Sequence, residues 1–403
     1  MLLSIIIINY NVKYFLEQCL DSIYRSRGIA HEDLEIFIVD NHSKDNSIPH
    51  IKHRFPADKY PNLHYINNQR NIGFGKANNQ AIRRAAGDYL LFLNPDTVLG
   101  EDTLADVIRF ARGRSDWGVI GVKMLQSDGN FARESRRGLP TPWVSFCKMS
   151  GLQALMPRSR TFGRYYMEYL DEDRENMIDI VSGAFMLTSA KAIRKTGGFD
   201  EDYFMYGEDI DLSYRMRLQG YRNYYVPTPM LHYKGESTKK NSYHYVHVFY
   251  EAMYIFFKKH FRRSAPLLAP AIQTAIVTKA LFAFISYQLK SIHHYLNPFE
   301  SHIPQQMIYI GHHEGDIQEL ASQYGIHIQC LHHDSTTLPQ GHLSPEVHMA
   351  GQSHVVYDLD NYSYSEVLRL FMSHPDPKCH IGFYHPDRNM LTTGGKVFHL
   401  VRQ

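Results

Sequence analysis

Leu2–Ile8, Leu34–Val39 and Tyr89–Leu93 are apolar runs, broken only by Ser4 and Glu35, with no polar residue on every second position. Runs of this kind suit strands buried on both faces of a parallel sheet. Between the first two, Val12, Phe15, Leu16, Cys19, Leu20 and Ile23 recur at helical spacing, which predicts an amphipathic helix ending near Gly28. Strand, helix and strand in succession make a βαβ unit, with parallel strands and a right-handed crossover. The pattern continues with a strand over Leu63–Ile66 and a helix over Gly75–Ala86. The strands end in polar residues, at Asn9-Tyr10-Asn11, Asp40-Asn41-His42-Ser43 and Asn94-Pro95-Asp96. Such residues can simply close a strand, since Pro donates nothing to a ladder and Asn or Asp stabilises turns. Ligands of open α/β sheets, however, bind at the carboxyl ends of the strands, so Asn9, Asp40, Asn71 and Asp96 are expected to share one rim. Gly73-Phe74-Gly75 lacks the third glycine of a dinucleotide fingerprint and lies far from the first strand, which argues against a dehydrogenase.

Farther along, Ser135-Arg136-Arg137-Gly138 and Pro140–Trp143 predict a loop over that rim, and Val181–Leu187 returns to strand character. Six carboxylates then crowd into Asp200–Asp211, interleaved with Tyr203, Phe204 and Tyr206. A solvated loop rarely carries so many aromatics. A helix over Leu212–Leu218 would place Asp209 and Asp211 at its N-terminus, where carboxylates are favoured.

A length of 403 residues predicts two domains. A net charge of +2 is too balanced to suggest nucleic acid as a partner. Cys19, Cys147, Cys330 and Cys379 are scattered without paired spacing, as expected of reduced thiols in a cytosolic compartment. The N-terminal run reads as a strand and not as a secretory signal.

Taken together, Asn9-Tyr10-Asn11, Val39–Ser43, Asn71–Asn79, Leu93–Thr97, Ser182–Phe185, Gly198–Glu201, Glu208–Leu212 and His232 resemble the family 2 inverting glycosyltransferases. The resemblance is to the rhamnosyltransferase-like group of bacterial cell-surface polysaccharide synthesis. It covers roughly the first 240 residues and rests on the order of many motifs, none specific alone. It implies the GT-A fold, an α/β fold with a Rossmann-like mixed sheet that binds a nucleotide-diphosphate sugar. By this resemblance Asp40 contacts the nucleoside, Asn9, Tyr10 and Asn71 line its pocket, and Asn94-Pro95-Asp96 stands in the Asp-x-Asp position with Asn94 replacing the first acid. Asp96 and the late histidine His232 would then hold Mn²⁺ or Mg²⁺ against the diphosphate, and an imidazole ligand favours Mn²⁺. Asp209 would be the base that takes the acceptor's proton and Glu208 its orienting neighbour.

Residues 1–242 are therefore read as the catalytic domain, 243–300 as a helical segment and 301–403 as a small α/β domain. The basic, aromatic stretch Tyr254–Arg263 and the apolar run 267–289 fit either an interfacial membrane helix or a pair packed on the catalytic domain. A glycan or polyprenyl-linked glycan acceptor at the inner face of the cytoplasmic membrane follows as the expected partner. Of the 24 histidines, 13 lie from His302 onward, but neighbours such as His312-His313 on a strand would face opposite ways, which disfavours chelation by the pair. Two rival readings stand beside the transferase. A nucleotidyltransferase would want a basic, Gly-rich loop after the first strand, and a catalytically silent assembly module would not need Asp40, Asp96, Asp209 and His232 together.

Overall fold

The computed structural model describes residues 3–233, 243–261, 306–349, 351 and 353–400. The apolar run 267–289 and the end of the basic stretch, Arg262 and Arg263, lie outside them.

Every residue of β1 (Leu3–Asn9) and β2 (Leu34–Asp40) is buried, as almost wholly apolar runs require, and the inner polar pair is matched by Ser4 Oγ donating to the Glu35 carboxylate. β3 (Leu63–Asn67) buries only Leu63 and Ile66, as an edge strand does. With β4 (Tyr89–Leu93), β5 (Thr97–Leu99), β6 (Trp117–Leu125), β7 (Asn176–Ile178), β8 (Phe185–Ser189) and β9 (Arg222–His232) they form a nine-stranded sheet in the order β3-β2-β1-β4-β8-β6-β9-β5, with β7 also on β9. The β3-β2-β1-β4 half is parallel, whereas β8 runs against both β4 and β6.

Alternate residues of β1 feed two cores. Ile5 and Ile7 pack with the helices Lys13–Tyr24, Ser47–Arg54 and Thr103–Arg112, while Ile6 and Ile8 pack with Phe74–Ile82, Ala190–Thr196 and Glu208–Leu218.

Three boundaries differ from the sequence reading, each for a local reason. The helix expected over Gly75–Ala86 ends at Ile82, and the amides of Ala86 and Gly87 turn to the Glu35 carboxylate instead. The strand expected over Val181–Leu187 begins only at Phe185, since the Val181 and Gly183 amides donate to Ser213 Oγ and Asp209 Oδ2 and not to a neighbouring strand. The helix expected from Leu212 starts at Glu208, behind Gly207 at φ 82°, so both Glu208 and Asp209 belong to its first turn.

A second, six-stranded sheet comprises β10 (Gln306–Ile310), β11 (Ile328–Leu331), β12 (Ser353–Asp358), β13 (Cys379–His385), β14 (Met390–Thr393) and β15 (Lys396–His399), in the order β11-β10-β12-β13-β14-β15. Its first four strands are parallel and the last two form an antiparallel hairpin around Gly394-Gly395. This sheet shares a core with the first: Val12, Phe15, Val98, Leu125, Leu231 and Tyr233 pack among Ile308, Val355, Tyr357 and Phe371. Polar contacts fix the docking. Glu101 accepts from the amides of Tyr364 and Ser365 at 2.8 Å each, capping the helix Tyr364–Ser373 with a carboxylate from the turn after β5. Asp21 takes Arg388 at 2.6 Å and the Tyr364 hydroxyl at 2.9 Å.

Candidate active site

The rim begins where β1, β2 and β3 end in register, at Asn9, Asp40 and Asn67. Asn9 Nδ2 donates to Asp40 Oδ1 at 2.8 Å and to Ser43 Oγ at 3.0 Å, and the Ser43 amide donates to Asp40 Oδ2 at 3.0 Å. Asn9 and Asp40 are thus buried and mutually fixed, each carboxylate oxygen keeping a second lone pair for a ligand. Tyr10, just beyond, is 37% exposed and can cover a bound group.

Asn71 Oδ1 accepts from the Gly73 amide at 3.0 Å and so shapes its own loop. Gly73, at φ 87°, must be glycine, because a Cβ there would lie 2.4 Å from the Phe204 carbonyl oxygen that accepts from Phe74 N. Asn79 is a brace, bonded to both the amide and the carbonyl of Phe199. These contacts tie the Asn71–Asn79 motif to the aromatic run at 199–204.

The Asn94-Pro95-Asp96 turn joins β4 to the short strand β5, with Asn94 N donating to the Ala184 carbonyl. β5 pairs antiparallel with the end of β9, Thr97 opposite His232, which brings Asp96 Oδ1 to 3.4 Å from His232 Nε2. Both side chains are almost wholly enclosed, and His232 Nδ1 finds no hydrogen-bond partner among the described residues. One carboxylate and one imidazole, converging from positions far apart in sequence, form a mixed oxygen and nitrogen donor set that fits a divalent cation of the Mn²⁺ type.

Glu208 and Asp209 lie across from Ser182-Gly183. Asp209 Oδ2 accepts from Arg137 Nη2 and from the Gly183 amide at 3.1 Å, and Oδ1 from the Ile210 amide at 2.8 Å. Burial, and then the charge of Asp209, push Glu208 up to about 8, and its Oε2 is buried with no partner among the described residues. Asp211 is fully buried between Arg215 and His260 and serves the packing of this helix. Arg137 is the residue that sequence reasoning missed. Its backbone bridges to Ile180, which turns the guanidinium inward. The cue was present in Arg136-Arg137-Gly138, two cations entering a glycine turn.

Residues 4–196 match the model of glycosyl transferase family 2. The match covers just under half of the chain, which is similar to glycosyltransferase family 2. It is 28% identical over 271 residues to the N-acetylglucosaminyl-diphospho-decaprenol L-rhamnosyltransferase of Mycobacterium tuberculosis (strain ATCC 25618 / H37Rv), covering 63% of this chain and 83% of that one. It is 27% identical over 270 residues to the Rhamnosyltransferase WbbL of Escherichia coli (strain K12), covering 64% and 88%. Among solved structures, the mannosyltransferase PcManGT from Pyrobaculum calidifontis, in complex with GDP-Man and Mn²⁺, aligns at 17% identity and a TM-score of 0.45 over 74% of this chain and 81% of that one. The mixed sheet, parallel through β3-β2-β1-β4 and antiparallel at β8, is of the Rossmann-like kind that the motifs imply.

Proposed function

We propose that the protein transfers a sugar, rhamnose in the first instance, from a nucleotide-diphosphate donor to a hydroxyl of a polyprenyl-linked glycan, with inversion at the anomeric carbon. The observation that carries this reading is the convergence of Asp96 and His232 beside the Asn9–Asp40 pair on one rim. The relatives from Mycobacterium tuberculosis and Escherichia coli, both rhamnosyltransferases by name and the first acting on a decaprenol diphosphate, supply the substrate class.

Asp40, Asn9, Tyr10 and the Asn71 loop would hold the nucleoside, with Asn94 and Asp96 facing the diphosphate. Asp96 and His232 would hold a divalent cation, Mn²⁺ before Mg²⁺, which supplies positive charge as the diphosphate leaves. On the opposite face Asp209, aimed by Arg137 and the Gly183 amide, accepts the acceptor's hydroxyl proton. The hydroxyl oxygen bonds to the anomeric carbon as the carbon–oxygen bond to the diphosphate breaks. Glu208, held protonated by burial, donates a hydrogen bond to the acceptor.

A second reading exchanges the two acids. Glu208 Oε2 is unpartnered and its group titrates near the working pH, as a general base should, whereas every Asp209 oxygen already holds a donor. Asp209→Asn and Glu208→Gln decide between them. The first reading expects Asp209→Asn to lower turnover by about 10²–10⁴-fold with donor binding retained. Full turnover in Asp209→Asn together with that loss in Glu208→Gln would assign the base to Glu208. Full turnover in both would remove the site from the chemistry.

A further inference from the structure

The segment between the rim loop and β7 departs from the rest of the surface in two independent ways. The first is apolar exposure. Trp143, Phe146 and Met149 are each about half exposed, at 49%, 54% and 49%, and they recur at i, i+3 and i+6 of the helix Pro142–Met149, forming one outward face. The opposite face is already used, because Val144 and Cys147 are buried against the protein. The Trp143 and Phe146 rings stack on one another at 5.8 Å. Past the turn at Gly151, Leu155 and Met156 add a second exposed pair, at 79% and 51%. A helix with apolar side chains on both faces leaves one face without a partner, and such patches mark contact surfaces.

The second departure is charge. From Leu139 to Met167 the sequence contains Lys148, Arg158, Arg160 and Arg164 and no aspartate or glutamate, in a chain whose acids and bases otherwise balance. Arg158 and Arg160 are exposed. Lys148 lies over the Tyr166 ring at 3.7 Å, and Arg164 reaches Asp179 at 3.6 Å.

We infer that this hairpin is a membrane-contact surface that rests on anionic phospholipid. The combination of a Trp and Phe face with the exposed cations Arg158 and Arg160 is what an interfacial segment needs, since aromatic rings settle at the headgroup level and each basic residue adds attraction to acidic lipid. It is a surface contact and not a span: among the described residues no helix is long and apolar enough to cross a membrane. Its place in the chain fits the proposed acceptor. The hairpin follows directly from Arg137, which holds Asp209, and Gly138 N donates to the Tyr165 carbonyl at 3.0 Å, stitching the start of the hairpin to its end. A glycan whose lipid tail stays in the bilayer would meet the Asp209 side of the site with its diphosphate near these cations. The inference deepens the proposed transferase reading and rests on it for the acceptor, but the lipid contact itself can be measured apart from transfer.

The test is flotation of the full chain, without donor, on phosphatidylcholine vesicles with and without phosphatidylglycerol. The expected result is binding that requires phosphatidylglycerol and weakens with salt. Trp143→Ser/Phe146→Ser/Met149→Ser should reduce it at least about ten-fold, Leu155→Ser/Met156→Ser should reduce it as well, and Arg158→Gln/Arg160→Gln should reduce it about five-fold or more per charge removed. Circular dichroism and the melting temperature establish that each variant is folded, and Leu155→Ser/Met156→Ser, which alters the most exposed side chains, serves if the triple variant is not. Transfer to a soluble, tail-less acceptor should stay within about two-fold of the parent in all three, so loss of vesicle binding is separable from loss of chemistry. Vesicle binding by the parent that the folded variants retain in full would overturn the inference and place the contact elsewhere in the chain. No vesicle binding by the parent would overturn it too, as would a parent dimer that the triple variant converts to monomer, since the patch would then belong to a second copy.

Discussion

Each of the two sheets gathers a histidine and carboxylates at the carboxyl ends of its strands, and the two clusters are satisfied in different ways. In the first sheet His232 and Asp96 stand 3.4 Å apart, too far for a good hydrogen bond, with His232 Nδ1 unpartnered among the described residues. In the second, His313, Asp358 and Asp360 have ligand atoms within 4.8 Å of one another, a group that could hold an ion by proximity alone. Yet His313 Nδ1 bonds to Asp358 Oδ2 at 2.7 Å, and the same oxygen accepts from the Tyr309 hydroxyl at 2.6 Å. That bond to Asp358 raises His313 above the ordinary histidine range, which favours imidazolium over a metal-ready imidazole. Proximity is common to both clusters. An imidazole nitrogen unpartnered among the described residues belongs to the first.

Asp96→Asn gives the largest effect expected from this contrast, a fall in transfer of about 10²–10³-fold, measured as turnover at saturating donor and metal. His232→Ala comes next, with at least about ten-fold weaker dependence on Mn²⁺. Turnover in either variant equal to the parent would erase the distinction between the clusters. Glu101→Ala tests how firmly the sheets are joined. Removing the carboxylate from the N-terminus of the helix Tyr364–Ser373 should cost about 1–2 kcal/mol in chemical denaturation. A smaller effect is expected from pH. Burial lowers His342 and His354 to about 4 and His385 to about 3. Unfolded, each would take up a proton near pH 6.5, so falling pH favours the unfolded chain, and their contribution, complete above that value, is lost as pH drops toward 4. The melting temperature should therefore fall between pH 7 and pH 5, read by calorimetry, and no change would count against burial of these neutral rings. The smallest effect belongs to His313→Ala, which should leave the Mn²⁺ dependence of transfer unaltered. A loss there would show that the second cluster holds the ion.

The parallel half of the first sheet could be read from the sequence because its strands see no water and its helices show one apolar face. The rim was legible for the same reason, since polar residues stood out at the ends of apolar runs. What could not be read lay in contacts between distant segments. The pairing of Thr97 with His232 decides where Asp96 points, and no periodicity encodes it. Arg137 looked like a loop residue until Ile180 fixed its backbone. The strand boundary moved to Phe185 because side chains of Ser213 and Asp209 took amides that a strand would otherwise use, and the helix start moved to Glu208 behind the positive-φ Gly207. The hairpin of β14 and β15 was overlooked although Gly394-Gly395 is a strong two-residue turn signal. Packing of the second sheet on Val98, Leu231 and Tyr233, beside Asp96 and His232, likewise arises from tertiary burial alone.

The most direct test of the account is the thermal shift of the parent and of Asp96→Asn with dTDP-rhamnose, UDP-sugars and GDP-sugars, each with and without Mn²⁺. A ligand that binds only the folded chain raises its melting temperature by mass action. The account predicts a shift with one nucleotide sugar that requires Mn²⁺ in the parent and disappears in Asp96→Asn. A folded parent that shifts with no donor, or a shift that survives in Asp96→Asn with its metal requirement intact, would contradict it.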